Sequence, residues 1–322
     1  MSKNNVAEVI PLKINLEHSF YYFIPSSLQR VAEIGKRVII PFRNSKKVGI
    51  IVKIIAETEI RDLKEIEEVL DPVPILSREV LFLTDWMAGY YLCPRGIVIS
   101  SILPSHVSSK KITAFFNDNT INGIIFDGNR IPIDKEDKPI LFQYLSFRER
   151  DLYYTHLIMK TIKDGKQVLL LVPDQFSCKG LKEKLVKKLG NSLAIFDKNV
   201  SQTEKYLRFI MVQSKDIKVV IGTRSSIFLP FLNLGLIIVE QENSTLYKEE
   251  RFPRYHAREV AQRRGLLEPA QVILASASPS IESYWHGLNN DFFLKTKNRV
   301  YKAKEKNWLQ TYLVDLEKEK SF

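Results

Sequence analysis

Two hydrophobic rhythms divide the chain. Between residues 6 and 56, short apolar and β-branched runs at 6–14, 18–24, 38–42 and 48–54 are separated by polar turns. The run 18–24, HSFYYFI, is aromatic and suited to a strand, and Gly35-Lys36-Arg37 and the polar residues 43–47 read as turns. Such closely spaced strands predict a small barrel or sandwich. Residues 61–70 read as a charged connector. Ser77 then holds the position of an N-cap, with Glu79 in the first turn and Val80, Leu83, Met87, Tyr90 and Tyr91 at helical spacing; Pro94 and Gly96 end that element. Residues 105–138 are rich in Ser, Asn, Asp and Gly and read as a linker with one or two weak strands. From 139 the rhythm changes. Apolar runs at 167–173, 193–196, 218–223, 236–240 and 271–276 are separated by helical patterns at 179–189, 202–212 and 254–264. Buried strands alternating with helices predict a parallel sheet wrapped by helices.

Composition narrows the class. The chain has 322 residues, 45% hydrophobic and 26% charged, enough apolar surface to exclude disorder as the main state. Cys93 and Cys178 lie far apart without a CxxC, which excludes a disulfide framework and a cysteine-rich zinc site and suits a reducing, cytoplasmic location. No His, Cys or Asp spacing satisfies a zinc site or a catalytic triad, so no metal is expected. No apolar run reaches the ~18 residues of a membrane span, and MSKNNVAEVI lacks the apolar core of a signal peptide, so no membrane partner is expected. The net charge of +11 is unevenly placed: residues 1–104 carry +1 and residues 139–322 carry +10. A polyanion is the natural partner of the C-terminal part.

Ligands of parallel α/β sheets bind at the carboxyl ends of the strands. Three such ends carry polar clusters here: GTRSS (222–226), EQEN (240–243) and SASPS (276–280). Read alone, Glu240, Gln241 and Glu242 are polar residues capping a strand, and His256 is a packing or capping residue. Phe20, Tyr21 and Tyr22 alternate between the core and the surface of a strand. Lys179, Lys182, Lys184, Lys187 and Lys188 fall on more than one helix face, and both a solvated surface and a DNA stripe remain open.

Taken together, these clusters resemble a family. GTRSSIFLPFLNLGLIIVEQEN (222–243), YKEERFPRYHAREVA (247–261) and ASASPSIESYW (275–285) are similar to the first motor lobe of the PriA family of bacterial replication-restart helicases. KQVLLLVPD (166–174) matches the strand after the family's first nucleotide motif. PLKINLEHSFYYFIP (11–25), GKRVIIPFRNSKKVGIIV (35–52) and GYYLCPRGIVISSILP (89–104) resemble its N-terminal domain, which binds the 3′ end of a DNA strand. Asn298-Arg299 and 313–316 resemble the segment leading out of the lobe. The resemblance implies three parts: a 3′-DNA-binding domain at 1–104, a linker or shortened winged-helix remnant at 105–138, and one RecA-like lobe at 139–322 with the second lobe absent. It implies DNA contacts at Phe20, which takes the base-stacking position, and at Tyr21, Gly35, Arg43, Lys46, Lys47, Arg224, Arg254 and Arg258. The implied partners are DNA forks, single strands and 3′ ends, with other primosome or single-strand-binding proteins.

The sequence departs from the family at both nucleotide motifs. The P-loop aligns with 144–151, where every glycine is replaced, Arg150 stands at the lysine and Asp151 at the magnesium-binding threonine. Bulky residues fill the space in which backbone N–H groups would curl around phosphate. The family's Asp-Glu-Glu-His reads Glu240-Gln241-Glu242-Asn243, and neutral Gln241 cannot take a proton from water. In the end pocket, the family's Asp aligns with Tyr21 and its Gly with Arg43. The expectation is a DNA-binding protein of the replication-restart type without ATP, magnesium or unwinding. Two alternatives stay open: a helicase subunit completed by a separate second lobe, and a docking module that does not bind DNA.

Overall fold

The computed structural model describes residues 6–56, 60, 62–104, 138–174, 176–177, 179–196, 202–214 and 216–296. The expected linker, apart from Lys138, and the motifs at 298–299 and 313–316 lie outside the described residues.

The N-terminal runs form β1 (Val6–Pro11), β2 (Phe20–Phe23), β3 (Arg37–Phe42), β4 (Ser45–Ile55) and β5 (Glu68–Val69). They pair antiparallel in the order β2-β1-β4-β3-β5. Alternation sends Ala7, Val9, Tyr22, Val38, Ile40 and Ile51 to one face, where they form a core with Ile24 and Ile66. The expected connector is more ordered than its charge suggests. Ile66 donates its N–H to the Phe23 carbonyl (3.0 Å) and Glu67 to that of Ile39 (2.9 Å), which lays 64–69 along two strands. Ser77 caps α1 (Arg78–Tyr90) by accepting from the Val80 N–H at 3.2 Å. α1 ends before Pro94, as expected, and a second helix not foreseen in the sequence follows it. Pro94 stands at the start of α2 (Arg95–Ile102), where a missing N–H removes no intrahelical bond.

The C-terminal runs form β6 (Ile140–Gln143), β7 (Gln167–Leu171), β8 (Leu193–Phe196), β9 (Val219–Gly222), β10 (Leu234–Glu240), β11 (Gln271–Ser276) and β12 (Phe293–Thr296). All pairings are parallel, in the order β12-β6-β11-β10-β7-β9-β8. The helices are α3 (Phe147–Lys163), α4 (Lys179–Leu189), α5 (Gln202–Met211), α6 (Ala257–Leu267) and α7 (Ile281–Leu288). α3 and α4 bury Tyr154, Ile158, Leu181 and Leu185 on one face of the sheet, and α5 and α6 bury Tyr206, Phe209, Val260 and Ala261 on the other. This is the expected fold class: a small antiparallel domain followed by a parallel α/β lobe. α6 begins three residues later than expected, because Arg254 takes a left-handed φ of 56° and His256 is the N-cap. Among the described residues no helix is long and apolar enough to cross a membrane.

The two parts share one core. Ile10, Ile50, Val80 and Met87 of the first belong to the same buried cluster as Leu207, Phe209, Phe228 and Val260 of the second. A buried ion pair fixes the joint. The Asp71 carboxylate, fully buried, accepts from Arg37 Nη2 (2.6 Å), Arg37 Nε (2.9 Å) and the Arg37 backbone N–H (2.9 Å). Tyr206 on α5 donates its hydroxyl to the same carboxylate at 2.9 Å, and Gln213 donates to the Pro74 carbonyl at 2.9 Å. Gly35 stands beside this joint at φ 88°, where an added Cβ would lie 2.0 Å from the Leu76 carbonyl oxygen.

Removing one member of a buried pair strands the other, so Asp71→Ala is expected to lose about 3–5 kcal/mol in urea unfolding. Tyr206→Phe, which removes one hydrogen bond, is expected to lose about 1 kcal/mol. Equal, small losses would mean that the joint does not depend on this pair.

Candidate nucleic-acid interface

Strand alternation and register settle what each aromatic residue of β2 faces. Phe20 pairs with Val9 and Tyr22 with Ala7, so both point to the domain core side. Phe20 remains partly exposed and meets Phe42 edge-on, ring centroids 5.3 Å apart. Tyr22 is buried and donates to the Pro41 carbonyl at 3.3 Å. The β3–β4 turn adds Arg43, exposed, its guanidinium 5.8 Å from the Phe42 ring centroid. Phe20, Phe42 and Arg43 thus form one ladder, flanked by the exposed Lys46 and Lys47. Lys46 is paired with Glu67 at 2.5 Å. Arg43 holds φ 51°, a conformation that costs about 1–2 kcal/mol without glycine. The turn keeps a glycine-type backbone and adds a cation. Lys64, which sequence reasoning left in a connector, is exposed and accepts the Phe23 N–H on its carbonyl at 2.9 Å, beside β2.

Two expected members of this interface face elsewhere. Tyr21 pairs with Glu8, which puts it on the opposite face of the strand from Phe20. On that face Glu8 lines a cleft of about 570 Å³ with Glu17, Asp85 and Arg95, an acidic surround that repels phosphate. Gly35 is buried against Leu76 at the inter-domain joint and offers DNA no surface. Its positive φ explains the glycine.

At the crest of the parallel sheet, Tyr144, Ser146, Glu149, Arg150 and Asp151 of the segment aligned with the P-loop are held by internal hydrogen bonds and ion pairs. Ser146 caps α3, accepting from the Glu149 N–H at 3.2 Å, and Glu149 accepts from the Leu145 N–H at 3.2 Å. The helix N-terminus that would face phosphate is therefore closed by its own side chains. Arg150 and Glu240 pair at 2.8 Å, with Glu240 wholly buried at the end of β10. Tyr144 donates to the same carboxylate at 2.9 Å, and the Tyr154 hydroxyl donates to its other oxygen. Burial, then the adjacent Glu240 charge, pushes the Tyr144 phenol well above the ordinary tyrosine range, so it stays a donor. Asp151 accepts from Arg150 Nη2 at 2.8 Å and pairs with Lys184 at 3.0 Å. Magnesium and a triphosphate do not fit this arrangement. The carboxylate oxygens are occupied by fixed donors, and a guanidinium stands where the metal's charge would be. Sequence reasoning singled out Arg150, Asp151 and Glu240 but missed Tyr144 and Tyr154. The available signal was position 154, one helical turn after Arg150 on the buried face.

The remaining motif residues mostly brace the lobe. Glu242 is buried and accepts from the Ser280 N–H (2.6 Å), Ser280 Oγ (2.9 Å), Ser283 Oγ (2.8 Å) and Arg258 Nη1 (3.0 Å). Asn243 accepts from Ser276 Oγ at 2.8 Å. Gln241, between the two buried carboxylates Glu240 and Glu242, takes a left-handed φ of 50°. Arg258 also reaches Glu259 at 3.0 Å, so this expected DNA contact is an internal tie. Arg224 is likewise engaged: it pairs with Glu249 at 2.7 Å and donates to the Leu246 and Lys248 carbonyls. These bonds hold the stem of a loop, 248–256. Lys248 and His256 form a bridge there, and the Glu249 N–H donates to the Tyr255 carbonyl at 2.8 Å. The loop presents Arg251, Phe252 and Arg254 to solvent, and sequence reasoning had named only the last of them. His256 caps α6, its Nδ1 accepting from the Arg258 N–H at 3.3 Å. Burial, then the Arg258 charge, lowers its pKa and keeps that lone pair free to accept.

Residues 8–104 match the family model of the PriA 3′ DNA-binding domain. The replication restart protein PriA of Rickettsia conorii is 30% identical over 321 residues, covering 98% of this chain and 48% of that protein. The PriA of Chlamydia pneumoniae is 24% identical over 405 residues, covering 98% of this chain and 54% of that protein. The PriA of Bacillus subtilis is 33% identical over 177 residues, 54% of this chain and 22% of that one. A solved structure of RecG bound to a three-way DNA junction covers 66% of this chain and 25% of that one, with 16% identity and a TM-score of 0.36. The chain spans about half the length of the curated relatives it matches.

Arg150→Met, which strands Glu240, is expected to lose about 3–5 kcal/mol of stability, and Glu240→Gln in the same protein to recover part of it. An Arg150→Met protein as stable as the parent in urea would contradict the network. Arg43→Gly is expected to leave urea stability unchanged or slightly raised.

Proposed function

This chain is a relative of the replication restart protein PriA over about half of that protein's length, and we propose that it binds forked or single-stranded DNA through a 3′ end, with no nucleotide cycle. The observation that carries the reading is the Phe20–Phe42–Arg43 ladder inside the segment that matches the 3′ DNA-binding domain. An aromatic face accepts any base, so such a site reads a strand end by shape and not by sequence. Arg43, Lys47 and Lys64 supply exposed cations around the ladder, and Arg251, Phe252 and Arg254 supply a second cationic and aromatic surface on the lobe. The excess of +10 on residues 139–322 supports the same ligand. Tyr21, Gly35, Arg224 and Arg258 are left out of the contact set, because their positions serve another face or the protein itself.

The nucleotide-free part of the proposal rests on Arg150. A motor lobe needs a carboxylate free to hold a metal and backbone donors free to hold phosphate. Glu240 is instead neutralised by Arg150 and two phenols, and α3 is capped from within. The protein acts in this reading as a DNA-bound platform in replication restart, not as a translocase.

Fluorescence anisotropy with a labelled fork tests this directly. Expected are a preference for a 3′-hydroxyl over a 3′-phosphate on the leading arm, affinity that falls with salt, and no change on adding ATP and magnesium. Phe20→Ala is expected to lose about 1–3 kcal/mol of binding, the worth of one stacked base. Absence of binding at low salt would overturn the DNA reading. DNA-stimulated phosphate release would overturn the nucleotide-free part.

A further inference from the structure

The two DNA-facing surfaces sit on different parts of the chain, and one side chain links them. Tyr91, directly after α1, accepts the His256 backbone N–H on its hydroxyl at 3.1 Å. Its ring also lies 6.0 Å from the Lys248 ammonium. Lys248 and His256 are the bridged pair at the stem of the 248–256 loop, so Tyr91 touches both legs of that loop at one rung. The ring is itself held: Trp86 and Tyr90 lie 6.1 and 4.9 Å away, and Trp86 meets Arg263 of α6 at 5.8 Å. Arg224 grips the same stem from the lobe side.

We propose that Tyr91 is a positioning residue through which the end-binding domain holds the 248–256 loop in place, so that a DNA carrying both a 3′ end and a single-stranded arm is bound by two pre-aligned surfaces. The inference rests on the DNA-binding reading above and adds the coupling. A loop that projects Arg251, Phe252 and Arg254 must be ordered before it can contact a strand, and ordering it in advance removes that cost from binding. The Tyr91 hydroxyl provides the acceptor that keeps the loop's stem seated at His256. Burial raises the Tyr91 pKa to about 12, which keeps the phenol neutral over any working range. Coupling of this kind is reciprocal: an arm seated on the loop tightens the hold on the 3′ end by the same factor.

Tyr91→Phe in the full chain keeps the ring and removes the acceptor. Without DNA, amide exchange at His256 and along 248–256 is expected to speed up about fivefold, the worth of one hydrogen bond. In anisotropy, two probes are compared: a duplex with a recessed 3′ end, and the same duplex with a single-stranded arm. The parent is expected to bind the armed probe more tightly, and Tyr91→Phe to lose most of that advantage while holding the plain end as before. Arg251→Ala is expected to lose the advantage without changing exchange. Unchanged exchange, a retained advantage, or an equal loss on both probes would each overturn the proposal. A parent protein that binds neither probe would defeat the DNA reading instead, and the exchange result would still decide whether Tyr91 holds the loop.

Discussion

A carboxylate buried at the end of the central strand must be neutralised, and in this lobe Arg150 does it. Glu240 ends β10, the middle strand of seven, with no exposed surface. An isolated charge there would cost several kcal/mol. The Arg150 guanidinium and the Tyr144 and Tyr154 hydroxyls replace water around it, and Asp151 and Lys184 extend the pairing towards the surface. Everything at the crest follows from this. Ser146 and Glu149 cap the start of α3 beside it. Glu242 repeats the solution one step on, satisfied by Ser280, Ser283 and Arg258.

A lobe stabilised from within can serve as a fixed mount. The joint to the first domain is built the same way, with Asp71 held by Arg37 and by Tyr206 of the lobe, inside a core that both parts share. Residues committed to such ties are unavailable to a ligand, which is why Arg224 and Arg258 leave the contact set. Arg43, Lys47, Arg251, Phe252 and Arg254 stay exposed on the Phe20 ladder and the 248–256 loop, and the separation of structural from available cations is what gives the DNA reading its residues.

Much of the fold was legible in the sequence. β7, β10 and β11 are buried on both faces, so they appear as unbroken apolar runs. The antiparallel domain was legible from its spacing, and the capping roles of Ser77 and His256 from residue type. Other features were not legible, for definable reasons. Strand period shows that Phe20 and Tyr21 face opposite ways but not which face is which; that needed the register with Glu8 and Val9. A charge is visible in sequence and its partner is not: Arg224 meets Glu249 and Arg258 meets Glu242 only after folding. Polar atoms carried into the interior disguise the start of α3, where Arg150 and Asp151, with Tyr144 just after β6, align with a phosphate-binding loop.

In the proposed function, the sheet crest answers to its own residues and not to a nucleotide. Thermal unfolding with saturating ATP and magnesium, beside the same scan with a 3′-hydroxyl oligonucleotide, tests it most directly, because a ligand that binds the native state must raise Tm. Tm is expected to rise with the oligonucleotide and to stay unchanged with ATP and magnesium. A rise with ATP that Arg150→Met alters would contradict it.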